Sequence, residues 1–166
     1  AYRTHTCGEF RESHIRQTAR VAGWVENIRD HGGVQFIDLR DHYGTLQVVI
    51  KDEEMLKGVS RESTICVSGP IVRRDPDTIN PKIETGMVEL RAETLTLLGK
   101  CTGAFPFEVI SSKESREDLR LKYRFLDLRN RKVHKNIVLR AQLLSYLRSK
   151  MEEMGFLEIQ TPILTA

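Results

Sequence analysis

The 166-residue chain lacks long apolar runs, and this absence argues against a helix that spans a membrane. No uninterrupted apolar stretch is longer than about five residues, whereas a helix that spans a bilayer needs ~20. The first ten residues contain no apolar segment of the kind found in secretory signal peptides. The sequence therefore predicts a cytoplasmic protein that has no membrane partner.

Cysteine and histidine are also scarce, and neither is arranged as a metal site or a disulfide framework requires. The three cysteines, Cys7, Cys66 and Cys101, are far apart and form no CxxC pair, and the five histidines show no HxH or HExxH spacing. These patterns argue against a disulfide scaffold and against a zinc site. Glycine loops of the phosphate-binding type are absent as well, so we expect no metal and no cofactor in this chain.

The chain has little net charge, with 26 Lys and Arg against 23 Asp and Glu, a surplus of +3. That surplus is too small to support nucleic-acid binding by itself. Residues 1–110 hold 14 basic and 16 acidic residues, whereas residues 111–166 hold 12 basic and 7 acidic residues, a balance of +5. Within the second part, residues 113–135 contain nine basic and four acidic residues and account for the whole +5.

The first hundred residues contain a regular β pattern, with turn residues between the apolar segments. Five strands are predicted, at 19–29, 34–40, 45–51, 64–73 and 87–98. The fourth strand would be broken at Gly69-Pro70, and a short helix over 52–62 would precede it. This element order is that of the OB-fold, a five-stranded Greek-key barrel that commonly binds oligonucleotides. We therefore expect a mainly β domain over residues 1–103.

A different pattern follows the barrel. Residues 104–121 are expected to be a linker or hinge. Apolar residues recur at steps of three and four over 135–154, which predicts an amphipathic helix that Gly155 would end. A strand is then predicted over 156–164. Because one helix and one strand cannot bury their apolar faces alone, residues 122–166 are expected to be the start of a second domain that is cut off.

Strand alternation places two candidate binding residues on one face of the barrel. If the apolar positions of the second and third strands line the interior, Phe36 and Gln47 point outward on neighbouring antiparallel strands. An exposed aromatic ring beside an exposed amide suits a nucleobase, because the ring can stack on the base and the amide can bond its edge. The alternative, that Phe36 packs under a loop or against the second domain, stays open at this point.

Arg29 and Arg74 end strands next to that face. They could contact phosphates or stack on a base, although single arginines on a barrel rim are more often only solvated. The aspartates at the turns and strand ends are not paired as a general acid and a general base. The residues alone therefore predict a nucleic-acid-binding barrel without an internal catalytic site.

The segment Leu121–Arg129 (LKYRFLDLR), with the predicted helix and the FLEIQTPIL segment after it, resembles bacterial aspartyl-tRNA synthetases. The resemblance begins at Arg3-Thr4 and Cys7-Gly8, continues through GWVENIRDHGG and FIDLRDHYGTLQVV, and covers essentially the whole chain. Together these motifs are highly specific, although each alone would be weak. The family consists of class IIb enzymes in which an N-terminal OB-fold binds the tRNA anticodon and an α+β catalytic domain follows.

The resemblance implies roles for individual residues. Phe36 matches the aromatic residue that stacks on the central anticodon base, a uridine, and Gln47 matches the amide that recognises it. Four more residues match, or lie beside, positions that approach the anticodon: Arg29, Arg74, Asn80 and Glu89. His31 and Thr78 match positions linked to whether bacterial members separate tRNA-Asp from tRNA-Asn. A histidine at position 31 resembles the non-discriminating members, so charging of tRNA-Asn besides tRNA-Asp is a hypothesis.

The same resemblance implies what a complete enzyme does. A full-length member would activate L-aspartate with ATP and Mg²⁺, transfer it to tRNA and form a homodimer. Residues 156–164 resemble class II motif 1, whose proline, here Pro162, lies at the dimer interface. Motifs 2 and 3, which bind ATP, would follow Ala166. We therefore expect this chain to recognise an anticodon and to be inactive as an enzyme by itself.

Other interpretations stay open on sequence grounds, among them an interaction protein that uses the amphipathic helix, which would not explain the barrel. The related lysyl and asparaginyl enzymes share the barrel and a version of the Arg-x-Leu-Asp-Leu segment, although Cys7-Gly8 and Arg129 favour the aspartyl branch. A standalone OB-fold that binds single-stranded nucleic acid without specificity would explain the barrel. It would not explain the amphipathic helix or the segment after it.

Overall fold

The computed structural model describes residues 2–161. The chain divides into two compact units, Ala1–Gly103 and Ala104–Ala166. The first unit is built from strands and short 3-10 turns, and the second from helices. No helix within residues 2–161 is both long enough and apolar enough to cross a membrane.

The first unit is a closed β-barrel. Its described residues form six strands: β1 (Thr18–His31), β2 (Val34–Arg40), β3 (Thr45–Ile50), β4 (Thr64–Arg73), β5 (Val88–Arg91) and β6 (Thr94–Gly99). The ring runs β1–β2–β3–β5–β4 and closes through pairing of β4 with β1; β3 and β5 are parallel, and the other neighbours are antiparallel. This is the strand order of an OB-fold, so the predicted mainly β barrel is confirmed.

The barrel interior is filled by one row of apolar side chains from each strand. On β2 and β3 the cross-strand pairs Ile37–Val48 and Leu39–Leu46 are fully buried, as strand alternation predicts. Further buried residues come from the other strands and from the N-terminal segment: Cys7, Phe10, Val21, Val25, Ile65, Val67, Ile71 and Leu90. Removal of this apolar surface from water is the main favourable contribution to folding of the unit.

The predicted fifth strand is divided in two by a bend at Ala92 and Glu93. At the bend Ala92 N–H donates to the Val49 carbonyl of β3 (2.9 Å), and Glu93 N–H donates to the Ser68 carbonyl of β4 (2.9 Å). The chain must leave β3 there, because β6 continues along β4 alone. The predicted break in β4 is wrong, since Gly69 and Pro70 both keep their pairing with β1.

The helix predicted over 52–62 is also wrong. Only a 3-10 turn forms there, at Glu53–Leu56, and the Asp52 side chain accepts the Glu54 N–H (3.1 Å) at its start. Gly58 has φ +80° and Glu62 has φ +63°, and these left-handed conformations prevent propagation of a right-handed helix.

The second unit contains α1 (Glu117–Lys122), α2 (Arg124–Asp127) and α3 (Arg131–Glu153) among its described residues. The predicted long helix is confirmed as α3, but it begins four residues earlier than predicted. Its start is fixed by Asn130, whose Oδ1 accepts the N–H groups of Lys132 (3.0 Å) and Val133 (3.3 Å). Gly155 follows the helix with φ +86°, as predicted for a residue that ends one.

Residues 104–116, the first part of the predicted linker, fold back onto the start of α3, and the rest of that prediction, 117–121, lies in α1. Phe107, Val109, Leu126 and Val133 are buried, and Asn130 Nδ2 donates to two carbonyls of residues 104–116. Residues 156–161 do not form the predicted strand, because the described part of this unit contains no other strand with which they could pair. The rest of that prediction, Pro162 included, lies outside the described residues.

Candidate nucleic-acid interface

Phe36 lies on the outer face of β2, between β1 and β3. Its register partners are Arg29 on β1 and Val49 on β3. The ring is half-buried, and the exposed imidazole of His31 contacts it edge-on, with the ring centroids 5.6 Å apart and an interplanar angle of 73°. Two predicted site residues are therefore brought together, and part of the Phe36 ring remains open to a ligand.

Gln47 lies on the same face but is only 6% exposed, so the expected exposed amide is a wrong prediction. Its Nε2 donates to Oε2 of Glu89 at 2.9 Å. Glu89 reaches it because β5 runs parallel to β3, which places residue 89 beside residue 47. The carboxylate holds the amide in one orientation and leaves its carbonyl oxygen and second N–H for another partner.

Arg29 and Asp38 form an ion pair on this face. The Arg29 Nη2 donates to Asp38 Oδ1 at 2.8 Å, and the Asn27 Nδ2 donates to the other carboxylate oxygen at 3.3 Å. Asp38 lies directly opposite Gln47 across the β2–β3 ladder. Strand alternation already placed Asp38 beside Phe36, and this parity was the signal that could have identified it as a site residue.

Arg74 follows β4 and is buried, at 4% exposure, instead of projecting from the rim. Its Nε donates to the Val88 carbonyl (3.1 Å), and its Nη1 donates to the Thr78 carbonyl (3.4 Å). Burial lowers the pKa of Arg74; the carboxylates of Glu89 and Asp38 raise it in part, and Arg29 lowers it further. The charged side chains of this face are therefore near enough to influence one another.

The loop between β4 and β5 carries the other two predicted residues. Thr78 is exposed, and its hydroxyl donates to the Asp75 carbonyl (2.9 Å). Asn80 is half-buried, and its Oδ1 accepts the Lys82 N–H (3.0 Å). The loop closes tightly at Gly86, where an added Cβ would lie 1.8 Å from the Asn80 carbonyl oxygen. Thr78 and Asn80 thus lie in a tightly closed loop, to which Arg74 donates a hydrogen bond at the Thr78 carbonyl.

Taken together, the face combines an aromatic ring, an amide, two guanidinium groups and two carboxylates. A ring can stack on a base of any identity, whereas amides and carboxylates bond particular base edges. No group of three or more His, Cys, Asp or Glu residues within 2–161 could hold a metal ion. The arrangement therefore suits recognition of unstacked bases.

Comparison with known proteins matches a different family to each of the two units. The family of OB-fold nucleic acid binding domains matches residues 19–98, and that of class II tRNA synthetases (D, K and N) matches residues 116–166. The aspartate–tRNA(Asp/Asn) ligase of Rhodopseudomonas palustris (strain TIE-1) is 49% identical over 172 residues, which cover 99% of this chain and 28% of that protein. That of Ehrlichia canis (strain Jake) is 47% identical over 170 residues and 29% of its length.

Solved structures are similar in fold. The asparaginyl-tRNA synthetase from Pyrococcus horikoshii has a TM-score of 0.80 at 24% identity and covers 97% of this chain and 38% of its own. The aspartyl-tRNA synthetase from Entamoeba histolytica has a TM-score of 0.78 at 18% identity, and the match covers 92% of this chain and 38% of that protein's chain. The chain spans less than a third of the length of the curated relatives it matches. With an OB-fold nucleic acid binding domain followed by a class II tRNA synthetase segment, the chain is homologous over 99% of its length to aspartate–tRNA(Asp/Asn) ligases.

Proposed function

We propose that the barrel binds the anticodon loop of a tRNA and that Phe36 and Gln47 recognise its central base. The observation that carries this proposal is the half-buried Phe36 ring on the same face as an amide fixed by Glu89. A base that stacks on the ring would present its edge to the amide. The carbonyl oxygen and the second N–H of Gln47 form an acceptor and a donor side by side, which complements the N3–H and O4 of uracil.

The surrounding charges support base recognition over binding of the backbone. Arg29 is partly neutralised by Asp38, and the donors of Arg74 are directed to protein carbonyls. Contacts to phosphates position a nucleic acid but carry no sequence information. In this proposal Arg29, Glu89 and the loop with Arg74, Thr78 and Asn80 approach the bases that flank the central one.

For the whole protein we propose an aspartate–tRNA ligase of the cytoplasm. It would activate L-aspartate with ATP and Mg²⁺, transfer it to tRNA and act as a homodimer. His31 beside Phe36, and the Asp/Asn specificity in the names of the relatives, support tRNA-Asn as a second substrate besides tRNA-Asp.

The proposal is tested by measuring the dissociation constants of this chain for anticodon stem-loops that share one stem and differ only in the loop sequence. We expect a GUC loop to bind more tightly than one in which the central U is replaced by A. Phe36→Ala should weaken GUC binding by about 1–3 kcal/mol, because the stacking surface is lost. Phe36→Tyr, which keeps a ring, should bind like the wild-type chain, and circular dichroism checks that each variant is folded.

A GUU loop, which has the anticodon of tRNA-Asn, should bind within about threefold of the GUC loop if both tRNAs are substrates. Strong rejection of GUU would restrict the proposal to tRNA-Asp. Equal binding of the GUC loop and a scrambled loop would contradict anticodon recognition and would favour a single-strand binder without specificity.

A further inference from the structure

Asp38 occupies a central position on the candidate interface that the proposed function does not use. Its side chain is only 16% exposed, and it accepts hydrogen bonds from Arg29 (2.8 Å) and Asn27 (3.3 Å). Asn27 and Gln47 are its register partners on the two neighbouring strands. The carboxylate therefore lies beside the amide that is proposed to recognise the central base.

Asp38 is bonded to Arg29, and the charges of both residues are felt at Arg74. Arg29 and Arg74 are close enough for the charge of Arg29 to lower the pKa of Arg74, whereas the Asp38 carboxylate opposes that effect. Arg74 is anchored by backbone carbonyls, but the side chain of Arg29 is 45% exposed and Asp38 is the residue to which it donates. Without the carboxylate, the exposed Arg29 side chain would lose the hydrogen bond that holds its guanidinium against the face.

Release of the Arg29 guanidinium would change which parts of a nucleic acid the face binds. A mobile Arg29 would bind any phosphate it can reach, and such contacts do not depend on sequence. An arginine held in one plane presents its N–H groups in a fixed fork, which is the arrangement that distinguishes one base edge from another. A carboxylate at the same place also repels phosphates that approach the ring.

We propose that Asp38 is a specificity-determining positioning residue of the anticodon interface: it holds Arg29 against the face and excludes phosphate, so that the face binds bases. This inference rests on the proposed function. It assigns Asp38 no contact with RNA of its own, and it predicts that loss of the charge weakens selectivity more than it weakens affinity.

The test compares Asp38→Asn with the wild-type chain on GUC and scrambled stem-loops, over a series of salt concentrations. We expect the preference for GUC to fall by about tenfold. Binding of the scrambled loop should strengthen by about threefold and become more salt-dependent, because a phosphate gains access to Arg29. A merely structural role would weaken both loops equally and lower the melting temperature.

Glu54→Gln is the matched control, since it removes the same charge from an exposed residue of the 3-10 turn at Glu53–Leu56. It should leave the preference unchanged, and an equal effect of the two variants would overturn the proposal. Arg29→Gln, at an exposed side chain, provides a second route if Asp38→Asn does not fold. This variant should lower the preference for GUC without strengthening binding of the scrambled loop. An unchanged preference would overturn the proposal.

The double variant shows whether Asp38 acts through Arg29. In the Arg29→Gln background, Asp38→Asn should cause little further loss of preference, because the residue it positions is gone. Fully additive losses would overturn the proposed route. If the wild-type chain itself shows no preference for GUC, the proposed function fails; if the preference is present and survives Asp38→Asn, only the inference about Asp38 fails.

Discussion

At the scale of single residues, Asp127 is a fully buried carboxylate of the second unit. It accepts two hydrogen bonds from Arg120 (3.1 and 3.2 Å), one from the Ser112 hydroxyl (2.7 Å) and one from Arg124. Burial alone would raise the pKa of Asp127, but the hydrogen bonds from Arg120 and Ser112 and the two positive charges outweigh it, so the pKa is lowered. Ionised Asp127 thus stabilises the folded unit.

Asp127→Asn should destabilise the second unit by about 3 kcal/mol at neutral pH, because two guanidinium groups lose their buried partner. The folded-state pKa lies below the unfolded value of about 4, so the stabilisation is present above that pH and is lost as the pH falls below it. The difference between wild type and variant should therefore shrink on acidification. Urea unfolding followed by far-ultraviolet circular dichroism measures it, since the described α-helices lie in this unit.

Asp118→Asn is the control for that prediction. Asp118 pairs with Arg116 on the surface of α1, where both side chains are well exposed, so its loss should cost no more than about 1 kcal/mol. Equal losses of unfolding free energy for the two variants would mean that the buried cluster around Asp127 stabilises the unit no more than a surface ion pair does.

The sequence predicted which residues share a face, but it did not predict the burial and contacts of individual side chains. Alternation along β2 and β3 predicted correctly that Phe36 and Gln47 share a face, since that depends on local backbone geometry. It could not predict that the Gln47 amide is covered, because Glu89 arrives from a strand more than forty residues away. Burial of Arg74 likewise depends on the path of the loop that follows it.

At the scale of elements, β4 pairs with both β5 and β6 and passes close to the bend between them. Gly69 of β4 lies against the Arg91 carbonyl, and a Cβ added to it would come within 1.8 Å of that oxygen. The contact is with backbone on both sides, so neither partner can move aside as a flexible side chain would. The glycine therefore permits the bend between β5 and β6 and does not interrupt β4.

Gly69→Ala should destabilise the barrel by about 3 kcal/mol, because the methyl group forces the two strands apart. Gly103→Ala is the matched control: no atom lies within 4 Å of its added Cβ, so its effect should be small. Fluorescence of Trp24, the single tryptophan, which lies on β1, reports unfolding of this unit. Identical unfolding midpoints for the two variants would refute the close approach.

The elements themselves were predicted unevenly. The bounds of β2 and β4 agree with the pattern because turn residues mark both ends of these strands. The helix over 52–62 failed because a short acidic segment with an apolar residue or two does not overcome the left-handed residues Gly58 and Glu62. The start of α3 was missed by four residues, although Asn130 before a helical segment is a capping signal.

At the scale of the whole molecule, the uneven charge distribution has a structural basis. The basic stretch 113–135 covers α1, α2 and the first turns of α3. Arg120 and Arg124 balance Asp127, and Arg116 pairs with Asp118, so these charges are largely used within the unit. Lys132 and Lys135 at the start of α3 are exposed. In the function proposed above, these exposed charges would attract the phosphate backbone of the tRNA outside its anticodon loop.

Replacement of Lys132 and Lys135 by Gln should therefore weaken binding of whole tRNA-Asp and leave binding of the isolated anticodon stem-loop unchanged. The slope of log K against log salt for the whole tRNA should fall by about 1 for each phosphate that the variant no longer neutralises. Lys57→Gln with Lys100→Gln removes the same charge from exposed positions of the first unit and should not alter that slope. If the stem-loop weakens as much as the whole tRNA, these lysines act only through the general field of the protein, and the basic stretch has no separate contact with the tRNA body.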